Sequence, residues 1–327
     1  MKNKIVLSGM RPTGKLHLGH LHGVLENWKK LQEDYSCFFF VADWHALTSE
    51  YADTKEIKSN IHDMVIDWLS VGIDPEKAIL FIQSNVIEHA ELQLLLSMIT
   101  PLSWLERVPT YKEQVENIRD KDLGTYGFLG YPLLQSADIL IYNANYVPVG
   151  VDQVPHIEFT REVARRFNYL YSNVFVEPEE LLTDYPKLPG TDGRKMSKSY
   201  NNSIYISDSD EVITKKLKTA MTDPQRVRRD DPGDPEVCPI FAYHRIYSTT
   251  QQIDYVTDGC KTAGIGCIEC KKILTDNILG ELIPYREKRE ELLKSPETIE
   301  DIINDGNKRA REHAAGTMAR VREAMKF

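Results

Sequence analysis

The chain has 327 residues, 42% of them hydrophobic, and a formal net charge of −9. That size accommodates two globular domains, and the acidic balance argues against a general nucleic-acid coat protein and against DNA binding, while a specific RNA partner can still be met by local basic surface. The longest apolar run, Cys37 to Ala42, is far too short to cross a bilayer, and no N-terminal stretch joins basic residues to an apolar core and cleavage site, so no membrane association and a cytoplasmic location are expected.

Taken in chain order, Ile5-Val6-Leu7 reads as a buried strand, followed by a Gly/Pro-containing loop from Ser8 to Gly14. Leu21, Val24, Trp28 and Leu31, spaced three, four and three apart, then read as one face of a helix. His17-Leu18-Gly19-His20 therefore falls at a helix start, where free N–H groups and a partial positive charge seat phosphate. Gly19 lets a nucleotide approach the backbone, and both histidines can donate to phosphate oxygens. Phe38 to Ala42, Ile79 to Ile82 and Tyr146 to Val149 are further strands. Ile57, Ile61, Val65, Trp68 and Leu69 lie at helical spacing behind Asp53-Thr54-Lys55-Glu56, which resembles a capping box. This alternation predicts a Rossmann-like, doubly wound parallel α/β sheet over residues 1–193. Ligands in such sheets bind beyond the carboxyl ends of the strands, where Ser8 to Gly14, Asp43 to His45 and Gly150 to Gln153 would converge. On a helix begun near Pro132, Tyr131, Gln135 and Asp138 share one side. Asp138 lies among apolar residues, so it needs a donor, from a helix cap, a distant Arg or a substrate N–H or O–H.

Asp192-Gly193-Arg194 leads into Lys195-Met196-Ser197-Lys198-Ser199, a short basic loop able to close over a polyanion. Residues 194–327 read as a mainly helical second domain, ending in a helix from about Thr298 to Met325 with Ile299, Ile302, Ile303, Ala310, Ala314 and Val321 near one face. Basic runs at 215–218, 226–229 and 308–311 offer surface for RNA phosphates. Of five cysteines, Cys37 sits in an apolar strand as a small hydrophobe. Cys238, Cys260, Cys267 and Cys270 are separated by 21, six and two residues, and in a cytoplasmic chain they favour a metal or cluster site over disulfides. Four thiolates suit zinc and a 4Fe–4S cluster alike, and a site without metal is the third reading.

His17 to His20 and Lys195 to Ser199 together resemble the paired signatures of class I aminoacyl-tRNA synthetases. Ser8 to Gly14, Asp43 to Thr48, Leu105-Glu106-Arg107, Val147 to Gln153 and His156 to Arg161 extend the resemblance over nearly the whole chain, closest to the tryptophanyl members. It implies activation of L-tryptophan by ATP with Mg²⁺, then transfer from tryptophanyl-adenylate to the 3′ end of tRNA(Trp). It assigns catalysis to Lys195, Lys198, His17 and His20. The ATP site would add Arg11, Pro12, Thr13, Gly19, Lys112, Gly150, Val151, Asp152, Leu188, Met196, Ser197 and Ser199. For tryptophan it implies that Asp138 accepts the indole N–H and that Tyr131 and Gln153 address the α-amino group, with Gln135, Leu7 and His45 completing the pocket. It further implies a homodimer and, for the subset with this cysteine spacing, a 4Fe–4S cluster in the anticodon-reading domain. Two positions depart from the family: Gln114 stands where a second lysine is frequent, and Gln135 where many bacterial members carry methionine. Tyr-x-x-x-Gln-x-x-Asp also resembles the tyrosyl enzymes, although Leu7 replaces their substrate-contacting tyrosine. A tyrosyl-tRNA synthetase, or a catalytically silent nucleotide-binding or redox-sensing relative, is the alternative.

Overall fold

The computed structural model describes residues 4–108, 124–182 and 188–327. They form two compact units. The first comprises Met1–Gly14, Asn27–Asp184 and Ser295–Phe327, and the second Lys15–Glu26 and Tyr185–Lys294.

The first unit is built on five parallel strands: β1 (Ile5–Met10), β2 (Ser36–Val41), β3 (Ala78–Ile82), β4 (Tyr146–Val149) and β5 (Glu179–Leu182), in the order β3-β2-β1-β4-β5. Helices cover the sheet, so β1, β2 and β3 are apolar along almost their whole length. Register is fixed by pairs such as Leu7 with Phe38 and Phe38 with Ile79. Trp28 stacks on Phe39 with ring centroids 4.1 Å apart, and Phe38, Phe81 and Tyr142 form a second aromatic group. The strand order reverses at β1, which lies between β2 and β4, so the loops after β1 and β4 flank the crevice where such sheets take ligands.

The structure departs from the sequence pattern at three places. The helix Ile57–Ser70 buries Ile61, Val65, Trp68 and Leu69 as its spacing predicts, but its N-cap is Glu56 without a side-chain cap; Asp53 instead accepts from the Lys55 N–H at 3.3 Å. The stretch from Leu21 to Leu31 is not one α-helix: a turn at Leu18–His20 passes into a π-helical turn, Leu21–Leu25, before the helix Glu26–Asp34. β5 was not anticipated, because Glu179-Glu180-Leu181-Leu182 carries no apolar run.

The C-terminal helix, Pro296–Met325, packs on β3. It therefore belongs with the sheet, whereas the division at residue 193 assigns it to the second domain. The reason lies in the edge of the sheet. β3 is an outer strand, and an outer strand exposes main-chain groups that must be covered. Asn307 Oδ1 accepts from the Ile82 N–H at 2.9 Å. At Gly306 the helix backbone lies so close that a Cβ would sit 1.7 Å from the Leu80 carbonyl oxygen. The stripe of Ile299, Ile303, Ala310, Ala314, Met318 and Val321 is buried by the same packing.

The second unit carries the helices Asp210–Thr219, Pro239–Tyr247, Thr250–Lys261 and Cys267–Leu293. No helix among the described residues is long and apolar enough to cross a membrane.

Candidate active site

Within the second unit the two signature segments meet. The Leu18 N–H donates to Ile204 O and the Ile206 N–H to Leu16 O, both at 3.0 Å, with His17 bridged antiparallel to Tyr205. The basic loop is folded around buried Asn202. Its Oδ1 accepts from the Ser197 N–H at 2.8 Å, and its Nδ2 donates to Asp192 Oδ1 at 2.7 Å and to Lys195 O at 3.1 Å. Met196 is buried between two lysines, Lys195 exposed and Lys198 at a 3₁₀ turn, Lys198–Tyr200. Arg194, the third cation of the loop, is paired with Asp192 at 2.6 Å and lies over the Tyr200 ring.

This packing decides the state of both histidines. Burial first, and the Lys198 charge second, hold His17 at about 4. Burial, then His17 and Lys198, hold His20 at about 3. Both rings are therefore neutral at pH 7. They stack with centroids 3.8 Å apart, and the His17 N–H donates to His20 Nδ1 at 3.2 Å, which leaves the His20 proton on Nε2. A Cβ on Gly19 would meet His17 Cε1 at 2.9 Å and lie 3.9 Å from Met196 Sδ. Leu188 is buried in this unit. Lys112 lies outside the described residues.

In the first unit, Arg11, Pro12 and Thr13 leave β1, where the Thr13 N–H donates to Arg11 O at 2.8 Å. Gly150, Val151 and Asp152 leave β4, and a Cβ on Gly150 would meet Asp152 Oδ1 at 2.8 Å. Gln153 Nε2 donates to Asp152 Oδ2 at 3.3 Å. Asp138, on the helix Tyr131–Ile141, is 1% exposed. Its Oδ2 accepts from His45 Nε2 at 2.8 Å, its Oδ1 from His89 Nδ1 at 2.7 Å, and both oxygens from Gln83 Nε2 at 2.9 and 2.8 Å. Burial alone would raise this carboxyl; the bonds from His45 and His89 hold it below the usual carboxylate range, so it is an anion. Tyr131 Oη lies 3.2 Å from His156 Nε2, and burial followed by the nearby His45 holds His156 at about 4. Gln135 is half-buried on the same helix. Leu7 is buried in the apolar core that also holds Leu133 and Ala137. Tyr131, His45, Asp138 and His156 are thus brought together, while Leu7 contributes from the core. Gln83, His89 and Tyr142 were missed. The one available signal was a pair of polar residues, Gln83 and His89, just beyond a fully apolar strand.

The four cysteines share one region of the second unit. Burial, then the charges of Cys238, Cys260 and Cys267, push the Cys270 thiol up to about 12. Two buried cations stand beside them. Arg226 Nη1 is 3.9 Å from Cys260 Sγ, and its Nε is buried without a partner; Lys271 donates to Lys218 O and Ala220 O at 3.0 and 2.6 Å. His244 Nε2 lies 3.2 Å from Cys270 Sγ. Among the described residues no three of His, Cys, Asp or Glu are placed to hold a single metal ion. Neither zinc nor a cluster draws support from that placement. Arg226 and Lys271 place two positive charges near the four thiols.

Residues 1–281 match the family of class I tRNA synthetases for tryptophan and tyrosine (W and Y), and the chain belongs to that family. Within it, the chain is 56% identical over 322 residues to the tryptophan–tRNA ligase of Thermotoga maritima, covering 98% of each chain. The tryptophanyl-tRNA synthetase of Campylobacter jejuni, solved with ADP and tryptophan, matches with a TM-score of 0.89 at 33% identity, over 99% of this chain and 100% of that one. An Archaeoglobus fulgidus tyrosyl-tRNA synthetase shares the fold, with a TM-score of 0.68 at 22% identity over 88% of this chain and 90% of that one.

Proposed function

We infer that the chain is a tryptophan–tRNA ligase. It activates L-tryptophan with ATP and transfers it to the 3′ end of tRNA(Trp). The observation that carries this reading is the meeting of the His17–His20 segment with the Lys195–Ser199 loop region in one unit. In the first step a tryptophan carboxylate oxygen bonds to the α-phosphorus and pyrophosphate leaves. In the second a ribose hydroxyl of the terminal adenosine attacks the acyl carbon and AMP leaves. Neither step needs a protein nucleophile, so catalysis is positioning plus electrostatics.

Lys195 and Lys198 take the β- and γ-phosphates, where charge grows as pyrophosphate departs. His20 offers its Nε2–H as an uncharged donor, with His17 stacked on it and Gly19, Met196, Ser197 and Ser199 shaping the loop. Arg11, Pro12, Thr13, Gly150, Val151 and Asp152 serve the nucleotide, Leu188 the adenine and Lys112 a phosphate. Mg²⁺ comes with the triphosphate and would neutralise part of its charge. Asp138 accepts the indole N–H. Tyr131 and Gln153 address the α-amino group, and Gln135, Leu7 and His45 bound the ring. A buried acceptor left unpaired by the wrong side chain can discriminate by about 10⁴–10⁵.

Cys238, Cys260, Cys267 and Cys270 would hold a 4Fe–4S cluster, with Arg226 and Lys271 offsetting its negative charge. When bound, the cluster would organise anticodon-reading surface without any redox step. The chain works as a cytoplasmic homodimer. The helix Glu88–Ser97 and the turns after it leave Leu94 55% and Met98 68% exposed, apolar surface that a second copy would cover. The test of the function is ATP–pyrophosphate exchange with each aromatic amino acid. Tryptophan far above tyrosine is expected; tyrosine equal or better restores the tyrosyl alternative, and no exchange with any restores a silent relative.

A further inference from the structure

An ionised carboxylate only accepts, so every partner of Asp138 must bring a hydrogen. For His89 this puts a proton on Nδ1, 2.7 Å from Asp138 Oδ1. Its other nitrogen, Nε2, lies 2.7 Å from the Tyr142 hydroxyl. Tyr142 keeps its proton, because burial and the charges of Asp138 and Glu88 raise it well above its ordinary value. The array therefore runs in one direction: Tyr142 O–H donates to His89 Nε2, and His89 Nδ1–H donates to Asp138. His89 is 0% and Tyr142 1% exposed, with the Phe40 and Phe81 rings against the imidazole at 6.1 and 6.0 Å. Gln83, also fully buried, bridges both carboxylate oxygens. Three of the four hydrogen bonds on Asp138 thus come from the closed interior. The fourth comes from His45, whose side chain is 12% exposed.

We propose that Tyr142 and His89 are positioning residues for amino-acid recognition: Tyr142 fixes the tautomer of His89, and His89 with Gln83 clamps Asp138 so that only its Oδ2 edge, on the His45 side, can take a substrate N–H. This rests on Asp138 being the indole acceptor. An imidazole held by a second hydrogen bond is a directional donor; released, it can turn or exchange its proton between nitrogens, and the carboxylate it orients loses its set.

The test is pyrophosphate exchange on the full-length enzyme, with KM for tryptophan, KM for ATP, kcat and melting temperature measured for each variant. His89→Leu is expected to raise the tryptophan KM by about tenfold and Tyr142→Phe by about threefold, with the ATP KM unchanged, the sizes following from one lost charge-assisted bond and one lost neutral bond. His89→Gln, which can again present an N–H to Asp138, should recover most of the loss. Tyr142→Phe removes one oxygen only and decides the matter if His89→Leu does not fold. A lowered melting temperature with the tryptophan KM unchanged in both variants, or no recovery in His89→Gln, overturns the proposal in favour of a plain core role. Asp138→Asn is run in parallel. An unchanged tryptophan KM there removes the indole-acceptor reading itself, whereas a raised KM in Asp138→Asn with no effect of Tyr142→Phe or His89→Leu removes the positioning role alone.

Discussion

Gly306→Ala should destabilise the first unit, and the size can be worked out. An added Cβ would lie 1.7 Å from Leu80 O, 2.7 Å from Leu80 C and 3.3 Å from Leu80 N. All three are backbone atoms of β3, so no side chain can swing aside. The helix Pro296–Met325 must withdraw by more than an ångström, an overpacking cost of about 1–3 kcal/mol. Withdrawal also breaks the Asn307–Ile82 bond and leaves a buried N–H without its acceptor, about 1–3 kcal/mol more. Alanine's better helix propensity returns about 1 kcal/mol. The net loss is about 1–5 kcal/mol, a large part of a typical stability of about 5–15 kcal/mol. Gly316 in the same helix is the control: nothing lies within 4 Å of its Cβ position, so Gly316→Ala should gain up to about 1 kcal/mol. The assay is urea unfolding of both variants. Because Ile82 precedes Gln83, which holds Asp138, the tryptophan KM of Gly306→Ala should rise as well. Equal midpoints for the two variants would refute the reasoning.

Replacing Lys195 or Lys198 by Ala should slow adenylate formation by about 10²–10³ with tryptophan affinity nearly unchanged; weaker tryptophan binding at normal kcat would make the loop structural. His20 is held at about 3 against an ordinary 6.5, so the unfolded chain takes up a proton that the folded one refuses. Its contribution is constant above about pH 6.5 and turns against folding as pH falls below it, by about 2 kcal/mol at pH 5; His20→Gln should remove that share of the acid sensitivity of the urea midpoint, and an unchanged slope would contradict it. Protein prepared without oxygen should carry iron, and Cys267→Ser should lose the iron and weaken tRNA charging while exchange continues. Stoichiometric zinc would replace the cluster, and equal loss of both activities would make the metal a folding element. Sedimentation at micromolar concentration should give twice the chain's mass, and Met98→Glu should shift it toward one copy; a monomeric parent would count against the dimer.

Much of this was legible because the physics is local. β1 to β4 fall on apolar runs, since a strand covered on both faces has no polar side to show. β5 lies at the sheet's edge, where two glutamates are tolerated, and it gave no such signal. The π-helical turn after His20 breaks a spacing that looked regular in the letters. The burial need of Asp138 could be read from its apolar neighbours, but not its donors. Gln83 and His89 lie 55 and 49 residues away, and no periodicity links positions so far apart. The same distance hid the partner of the last helix: its apolar stripe was plain, but nothing in it names β3.

The contact at Gly306 and Asn307 has a temporal side. The ribosome finishes β5 long before it reaches the helix that covers β3. Roughly 120 residues separate them, so at about 5–20 residues per second the outer strand waits on the order of ten seconds with its main chain uncovered. During that interval the nascent sheet can recruit a strand from a neighbouring polysome. A message truncated before codon 307 would yield both signature segments together with a sheet that can never close its own border.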